Sequence, residues 1–277
     1  MFKDNPKFKN VKAVMADVDG TLLDSHGKVT PKTIEAIRKL RDNGILFGLS
    51  TGRDAVSCMN LLENWGIDGL VDVIIGMGGG EIYDLTRGTD SASYPLDGRL
   101  IHDIMDHYKD MDLNFCIPSK GVLYAPKDDE MIRRLSKADK LPYEVVDFDE
   151  LLKTPQGKVM IVCDPSLMDA VVERAKTFDN PDYKSASLKT ASILYEYMDP
   201  RVSKSNGLRE FMESHGWTLD ELMTFGDEDN DEDMTRHAGI GVVMENGSTR
   251  TKAAADYITL DNDSDGIADF LEKAGLV

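Results

Sequence analysis

The chain has 277 residues, with 32 Lys and Arg against 50 Asp and Glu and a formal charge of −18. That balance excludes the clustered basic footprint that neutralises nucleic-acid phosphates, and equally a surface made to dock on anionic lipid. With 41% hydrophobic residues spread along its length the chain is not a disordered polymer, and it is long enough for one large domain or two modest ones.

The segment MFKDNPKFKNVK lacks an apolar core of signal-peptide type, and nowhere do 18 uncharged apolar residues run together. A soluble, cytoplasmic protein is expected. Cys58, Cys116 and Cys163 are too few and too widely spaced for a disulfide framework or a CxxC metal site, so buried free thiols are expected.

Residues 11–16 read as a buried strand. A helix follows, with Thr30 as N-cap, Pro31 in its first turn, Ile34, Ile37 and Leu40 on one face and Gly44 at its end. Strand 45–49, helix 54–64 and strand 71–75 continue the alternation, which implies βαβ crossovers and a parallel sheet covered on both faces. The last third repeats it: a helix from Asn206, strand 222–225, a helix from Glu228, strand 240–243, a helix from Ser248, strand 257–260 and a helix from Asp265.

The middle reads differently. A helix at 99–108, two strands around the turn Ser119-Lys120-Gly121, helices near Met131 and Val171 and strand 159–163 suggest a separate α+β sheet. The expected architecture is α/β: a doubly wound, Rossmann-like parallel-sheet core (1–83 and 189–277) with an inserted α+β domain (84–188), joined at hinges near 82–85 and 185–190.

Three strand ends carry chemistry. Asp17-Val18-Asp19-Gly20-Thr21 follows the first strand, and two carboxylates drawn into low dielectric there repel each other unless a cation or shared proton offsets the cost. A plain Asp-Gly turn fits that string equally well. The second cluster, Gly226-Asp227-Glu228-Asp229-Asn230-Asp231-Glu232-Asp233-Met234, also follows a strand. In a parallel sheet the two ends share one edge, so Asp17, Asp19, Asp227 and Asp231 can converge. Oxygen ligands without His or Cys suit a hard cation, with Mg²⁺ expected; Glu228, Glu232 and Asp233 fit a helix N-terminus. Ser50-Thr51-Gly52-Arg53 offers a hydroxyl and turn amides for a phosphoryl group, or an ordinary N-cap. Lys204 stands just before a core helix.

Together, DVDGT at 17–21, STGR at 50–53, Lys204 and GDEDNDEDM at 226–234 resemble the four ordered motifs of the haloacid dehalogenase superfamily of phosphohydrolases, in particular its Cof-type subfamily. The resemblance covers the whole chain, and the interval from Thr51 to Lys204 accommodates that subfamily's α/β cap. It implies Asp17 as the nucleophile that forms an aspartyl-phosphate and Asp19 as general acid and base. It implies Mg²⁺ held by the Asp17 carboxylate, the Asp19 carbonyl and Asp227, with Asp231 behind them or in contact. Thr51, with the Gly52 turn, and Lys204 would bind phosphoryl oxygens, Asn230 would orient that pair, and Arg53 would face substrate, as could Lys120, Tyr124 and Lys189 of the cap. The implied activity is Mg²⁺-dependent hydrolysis of a small phosphorylated metabolite such as a sugar, nucleotide or cofactor phosphate, without nucleic-acid or membrane partners. The alternatives are a phosphomutase or phosphotransferase of the same superfamily and a non-catalytic acidic Ca²⁺/Mg²⁺-binding protein.

Two features depart from the pattern. Gly78, in Met77-Gly78-Gly79-Gly80, stands where relatives carry Asn, with hinge flexibility as the ordinary explanation. Residues 261–272, from Asp261 through Gly266 to Glu272, fit an EF-hand calcium loop, although a strand rather than a helix is expected before them.

Overall fold

A computed structural model describes residues 5–277. They form two compact units, one running to Ser91 and resuming at Ser203–Val277, the other Ala92–Val202.

The first unit begins with β1 (Ala13–Ala16), α1 (Pro31–Asp42), β2 (Leu46–Ser50), α2 (Ala55–Met59), α3 (Leu62–Trp65), β3 (Val73–Gly76), β4 (Glu81–Asp84) and β5 (Thr89–Ala92). The second contributes α4 (Gly98–His107), β6 (Asn114–Ser119), β7 (Val122–Ala125), α5 (Glu130–Asp139), β8 (Tyr143–Val145), α6 (Phe148–Leu151), β9 (Val159–Val162), α7 (Met168–Ala175), β10 (Ala186–Ala191) and β11 (Leu194–Met198). The chain returns to the first with α8 (Lys204–Ser214), β12 (Leu222–Gly226), α9 (Glu232–His237), β13 (Ile240–Val243), α10 (Thr249–Ala254), β14 (Tyr257–Ile258) and α11 (Gly266–Ala274).

In the first unit the strands lie in the order β14-β13-β12-β1-β2-β3-β4-β5. The six from β14 to β3 are parallel, and β4 joins β3 antiparallel. This is a doubly wound sheet whose strand order reverses between β1 and β12, and the crevice beyond the carboxyl ends at such a switch point is where open α/β sheets bind ligands. Alternation along β1 fixes the two layers. Val14 and Ala16 pack with Ile37 and Leu40 of α1 and Phe270 of α11; Ala13 and Met15 pack with Leu208 and Phe211 of α8 and Met234 of α9.

The second unit is a six-stranded sheet ordered β10-β11-β9-β6-β7-β8, antiparallel except where β8 joins β7. Lys120 and Gly121 both have positive φ, 50° and 79°, as the tight turn between β6 and β7 requires. One sheet face packs on α4 and α7, the other on α5.

Several local boundaries differ from the sequence reading. The helix expected at 54–64 is two short helices, because Leu61 N bonds back three residues to Cys58 O and breaks the α-helical ladder. The helix expected from Asn206 starts at Lys204, since the Ser203 side chain caps it by accepting from Asn206 N. The helix expected from Glu228 begins at Glu232, after a 3₁₀ turn at Asp229–Asp231, and the strand expected at 257–260 stops at Ile258. Residues 82–85 and 185–190, read as hinges, lie largely in β4 and β10. The three cysteines are buried and unbonded. Among the described residues no helix is long and apolar enough to cross a membrane.

Candidate active site

The register of the parallel sheet brings the first two acidic segments together. Ala16 pairs with Phe225 on one side and with Leu49 on the other, so the residues that follow each strand leave the same edge. Asp17 N donates to Phe225 O at 2.9 Å, fixing the start of the next loop. That loop is a wide turn in which Leu22 N bonds back to Asp17 O and Leu23 N to Val18 O. Gly20 sits in it at φ +82°, and a Cβ there would overlap the Asp227 carboxylate, so the first loop approaches the second only through glycine.

Asp17, Asp227 and Asp231 are the one group of three acidic side chains among the described residues able to hold a metal ion, with ligand atoms within 4.8 Å of one another and all three buried. Lys204 enters this cluster from the first turn of α8. Its ammonium donates to Asp17 Oδ1 at 2.5 Å and to Asp231 Oδ1 at 2.6 Å, and the side chain is 2% exposed. Asp231 Oδ2 accepts from the Asp227 and Glu228 amides at 2.9 and 3.1 Å, so both Asp231 oxygens are engaged. Thr21 Oγ1 donates to Asp227 Oδ1 at 2.6 Å. The second oxygens of Asp17 and Asp227 accept no hydrogen bond among the described residues.

Three carboxylates against one ammonium leave the cluster short of positive charge. Burial pushes Asp17 up to about 8, and the nearby Asp231 and Asp227 charges add to it; Lys204 opposes the rise but is shared with Asp231. Asp227 is raised to about 6, again chiefly by burial, with the Thr21 hydroxyl opposing. Lys204 is pushed upward despite its burial by Asp17 and Asp231, and stays an ammonium. A buried set of oxygen donors with unmet negative charge and no His or Cys fits a hard divalent cation.

Asp19 is not in the cluster. Its carboxylate, expected to be buried beside Asp17, is 57% exposed and bound bidentately by Arg53, Nε to Oδ2 at 2.7 Å and Nη2 to Oδ1 at 2.8 Å. The residue after Asp17 faces the core and Asp19 begins the outward bend, where solvent and a guanidinium are the cheaper environment for charge. Arg53, expected to face substrate, is thereby engaged with a protein carboxylate. Thr51 is 2% exposed and leaves β2 at the same edge; its hydroxyl accepts from Arg53 N at 3.2 Å. Gly52 forms the turn between them. Asn230 is exposed and makes no described contact with Lys204, which Asp231 holds instead.

The rest of the acidic run is dispersed. Asp233 accepts from Ser205 N at the start of α8, Asp229 takes the Ser248 hydroxyl, and Glu232 pairs with Arg236 and Arg250. The segment after β3 is tied by hydrogen bonds from Met77 N and Gly78 N to Arg53 O and Thr51 O, and a Cβ on Gly79, at φ +107°, would run into the Ser203 carbonyl, whereas one on Gly78 would meet open space. Residues 261–272 are not an EF-hand. β14 precedes them and α11 already starts at Gly266. Asp263 accepts from Ser25 N at 2.7 Å and Asp265 from the Thr30 hydroxyl, while Asp261 Oδ1 is buried without a hydrogen bond. The neighbouring Asn262 Nδ2 donates to Leu23 O, and Asn246 Nδ2 to Gly20 O, both at 2.8 Å, so this turn braces the loop that carries Asp19. Sequence reasoning assigned no role to Thr21, Asn246 or Asn262. Thr21 stood within the DVDGT string, but nothing in the sequence pointed its hydroxyl at Asp227.

A doubly wound sheet with a buried acid cluster and a lysine at its switch point defines an α/β protein with its charge concentrated at one sheet edge. The chain belongs to the haloacid dehalogenase-like hydrolase family, whose model matches residues 14–271. Its fold is that of a haloacid dehalogenase-like hydrolase from Bacteroides thetaiotaomicron, with a TM-score of 0.85 and 24% identity, covering 95% of this chain and 99% of that one. It is 27% identical to the 5-amino-6-(5-phospho-D-ribitylamino)uracil phosphatase of Bacillus subtilis over 94% of each chain. It is likewise 27% identical to the phosphoglycolate phosphatase of Methanoculleus marisnigri, over 95% of this chain and 96% of that one.

Proposed function

We propose that this protein is a Mg²⁺-dependent phosphatase that hydrolyses a small phosphorylated metabolite through an aspartyl-phosphate on Asp17. The observation that carries this reading is the buried Lys204 ammonium set between Asp17 and Asp231 beside Asp227. It is a fixed positive charge next to a carboxylate nucleophile, in a cluster still short of positive charge. The two relatives named above, both phosphatases of small phosphate esters by name, support the substrate class.

Asp17 and Asp227, each with an oxygen free of hydrogen bonds, would hold Mg²⁺, together with the Asp19 main-chain carbonyl; Asp231 would hold Lys204 and the loop of Asp227. The ion would supply the positive charge that keeps Asp17 ionised and would neutralise phosphoryl oxygens.

In the reaction Asp19 first takes up a proton from solvent; an Asp17 oxygen then attacks phosphorus in line, and as the bond to the leaving oxygen breaks, that oxygen takes this proton from Asp19. Asp19, now a carboxylate, takes a proton from water; the water oxygen attacks phosphorus, the bond to Asp17 breaks, and inorganic phosphate leaves. Lys204, Thr51 and the turn amides at Gly52 hold the phosphoryl oxygens throughout, so that charge developing on them meets groups already in place. The unit Ala92–Val202 would act as the cap that excludes water and reads the leaving group.

The test is phosphate release by the pure protein with Mg²⁺ from a panel of sugar, nucleotide and cofactor phosphates and a generic aryl phosphate. Release from at least one, abolished by chelator and restored by Mg²⁺, is expected. No release from any of them would overturn the reading.

A further inference from the structure

We propose that Arg53 is an exchangeable clamp: it holds the Asp19 carboxylate in a rest position outside the acid cluster and releases it when the oxyanion of an arriving phosphate ester takes over the guanidinium. The proposal rests on the assignment of Asp19 as acid and base given above.

The geometry has three parts. The guanidinium grips both Asp19 oxygens with Nε and Nη2, the two-pronged arrangement that phosphate oxygens satisfy equally well. The main chain of Arg53 is pinned, its N–H on the Thr51 hydroxyl and its carbonyl on Met77 N, so the side chain swings from a fixed base beside the residue assigned to phosphate. The main chain around Asp19 is pinned as well, because Asn246 holds the Gly20 carbonyl at 2.8 Å. Release therefore needs only rotation of the Asp19 side chain.

The energetics suit exchange. Asp19 is more than half exposed while the Arg53 side chain is 24% exposed, so a released Asp19 carboxylate is rehydrated, and a phosphate offers the same fork more negative charge. The clamp also has an electrostatic purpose. Without substrate, an inward Asp19 would add a fourth carboxylate to a cluster with one ammonium. Arg53 keeps that charge out until a phosphate claims the guanidinium and Asp19 can turn toward the leaving oxygen. Arg53 is thus a positioning residue for Asp19 and an anchor for the phosphate in turn.

The test is calorimetric titration of inorganic phosphate into the Mg²⁺-loaded protein for wild type, Asp19→Asn, Arg53→Ala and the double variant. Asp19→Asn frees the guanidinium from its competitor and is expected to tighten phosphate binding about two- to fivefold, the strength of an exposed ion pair. In the Arg53→Ala background the same change should give no tightening. Arg53→Ala alone should weaken binding about tenfold, the loss of a hydrogen bond between charged groups, and Arg53→Lys, which keeps the charge without the fork, should fall between. Equal tightening in both backgrounds, or unchanged phosphate binding by Arg53→Ala, would overturn the clamp.

Kinetics with an aryl phosphate give a second reading. Arg53→Ala should raise KM, since the phosphate ester loses an anchor; an unchanged KM contradicts the proposal. If the coupling between Asp19 and Arg53 appears while no phosphate ester is hydrolysed, the functional reading fails and takes the catalytic purpose of the clamp with it, while the exchange of the guanidinium between Asp19 and phosphate is kept. Hydrolysis without that coupling overturns the clamp and leaves the functional reading standing.

Discussion

Asp231 grips Lys204 with one oxygen and the main chain of its own loop with the other: Oδ1 accepts the ammonium at 2.6 Å, and Oδ2 accepts the Asp227 and Glu228 amides. One fully buried carboxylate thereby locks the lysine of α8 to the loop that presents Asp227, and any change at Lys204 is felt throughout the acid cluster.

Replacing that lysine exposes how the acids depend on it. Lys204→Met leaves three buried carboxylates without their ammonium, and a broken buried pair of this kind costs about 3–5 kcal/mol. Urea unfolding in chelator should show a loss of that order, with part of it recovered on adding Mg²⁺, and turnover should collapse. An unfolding midpoint equal to wild type in chelator would mean that Lys204 does not compensate the cluster.

Thr21 orients Asp227 through a 2.6 Å hydrogen bond. Groups that orient a ligand carboxylate typically carry about 10–100-fold in metal affinity. Thr21→Val, nearly the same shape, should raise the Mg²⁺ concentration for half-maximal activity by at least about tenfold. An unchanged Mg²⁺ requirement would remove Thr21 from the site.

The raised carboxylates set a pH dependence. Asp227 at about 6 and Asp17 at about 8 both lie above the ordinary aspartate value of 3.8, chiefly through burial. A group whose folded pKa is raised contributes stability that is full below its unfolded pKa and is lost as pH climbs through the folded one. The metal-free protein should therefore lose stability between about pH 4 and 8 as these two groups ionise. The proposed Mg²⁺ would bind the ionised forms, so its stabilising effect should grow over the same window and its binding should release protons. Calorimetry in two buffers of different ionisation enthalpy measures that release; none at neutral pH would contradict the raised values.

The acidic turn after β14 braces the first loop. Asp263 and Asp265 already accept from Ser25 and Thr30, and Asn262 holds the Leu23 carbonyl. A Ca²⁺ titration of the Asp227→Asn variant should show no saturable binding. Saturable binding that disappears when Asp261 and Asp263 are also changed would restore the calcium loop.

Much of this was legible in the sequence because it depends on strand ends. Hydrophobic runs located β1 and β12, and parallel pairing then forces Asp17 and Asp227 to one edge whatever the details. The inserted sheet was visible through the turn at Lys120-Gly121, whose backbone demands are local. The side-chain directions were not legible. Nothing in DVDGT says that Asp19 turns outward to Arg53, since that follows from a π-type turn and a partner 34 residues away. Asn230 and Asp231 are adjacent and equally polar in the sequence. Only the 3₁₀ turn at Asp229–Asp231 decides that Asp231, not Asn230, points inward to Lys204. The calcium pattern misled for the same reason: spacing alone does not show that α11 starts at the glycine of the pattern.

The central claim is that Asp17 carries the phosphoryl group. The most direct measurement is rapid acid quench of the Mg²⁺-loaded enzyme during turnover of a hydrolysed phosphate ester, followed by mass spectrometry of the peptide that contains Asp17. A single phosphoryl adduct on Asp17 in wild type, absent together with turnover in Asp17→Asn while the fold is kept, is the result predicted. Full turnover by Asp17→Asn, or a phosphoryl adduct on another residue, would contradict it.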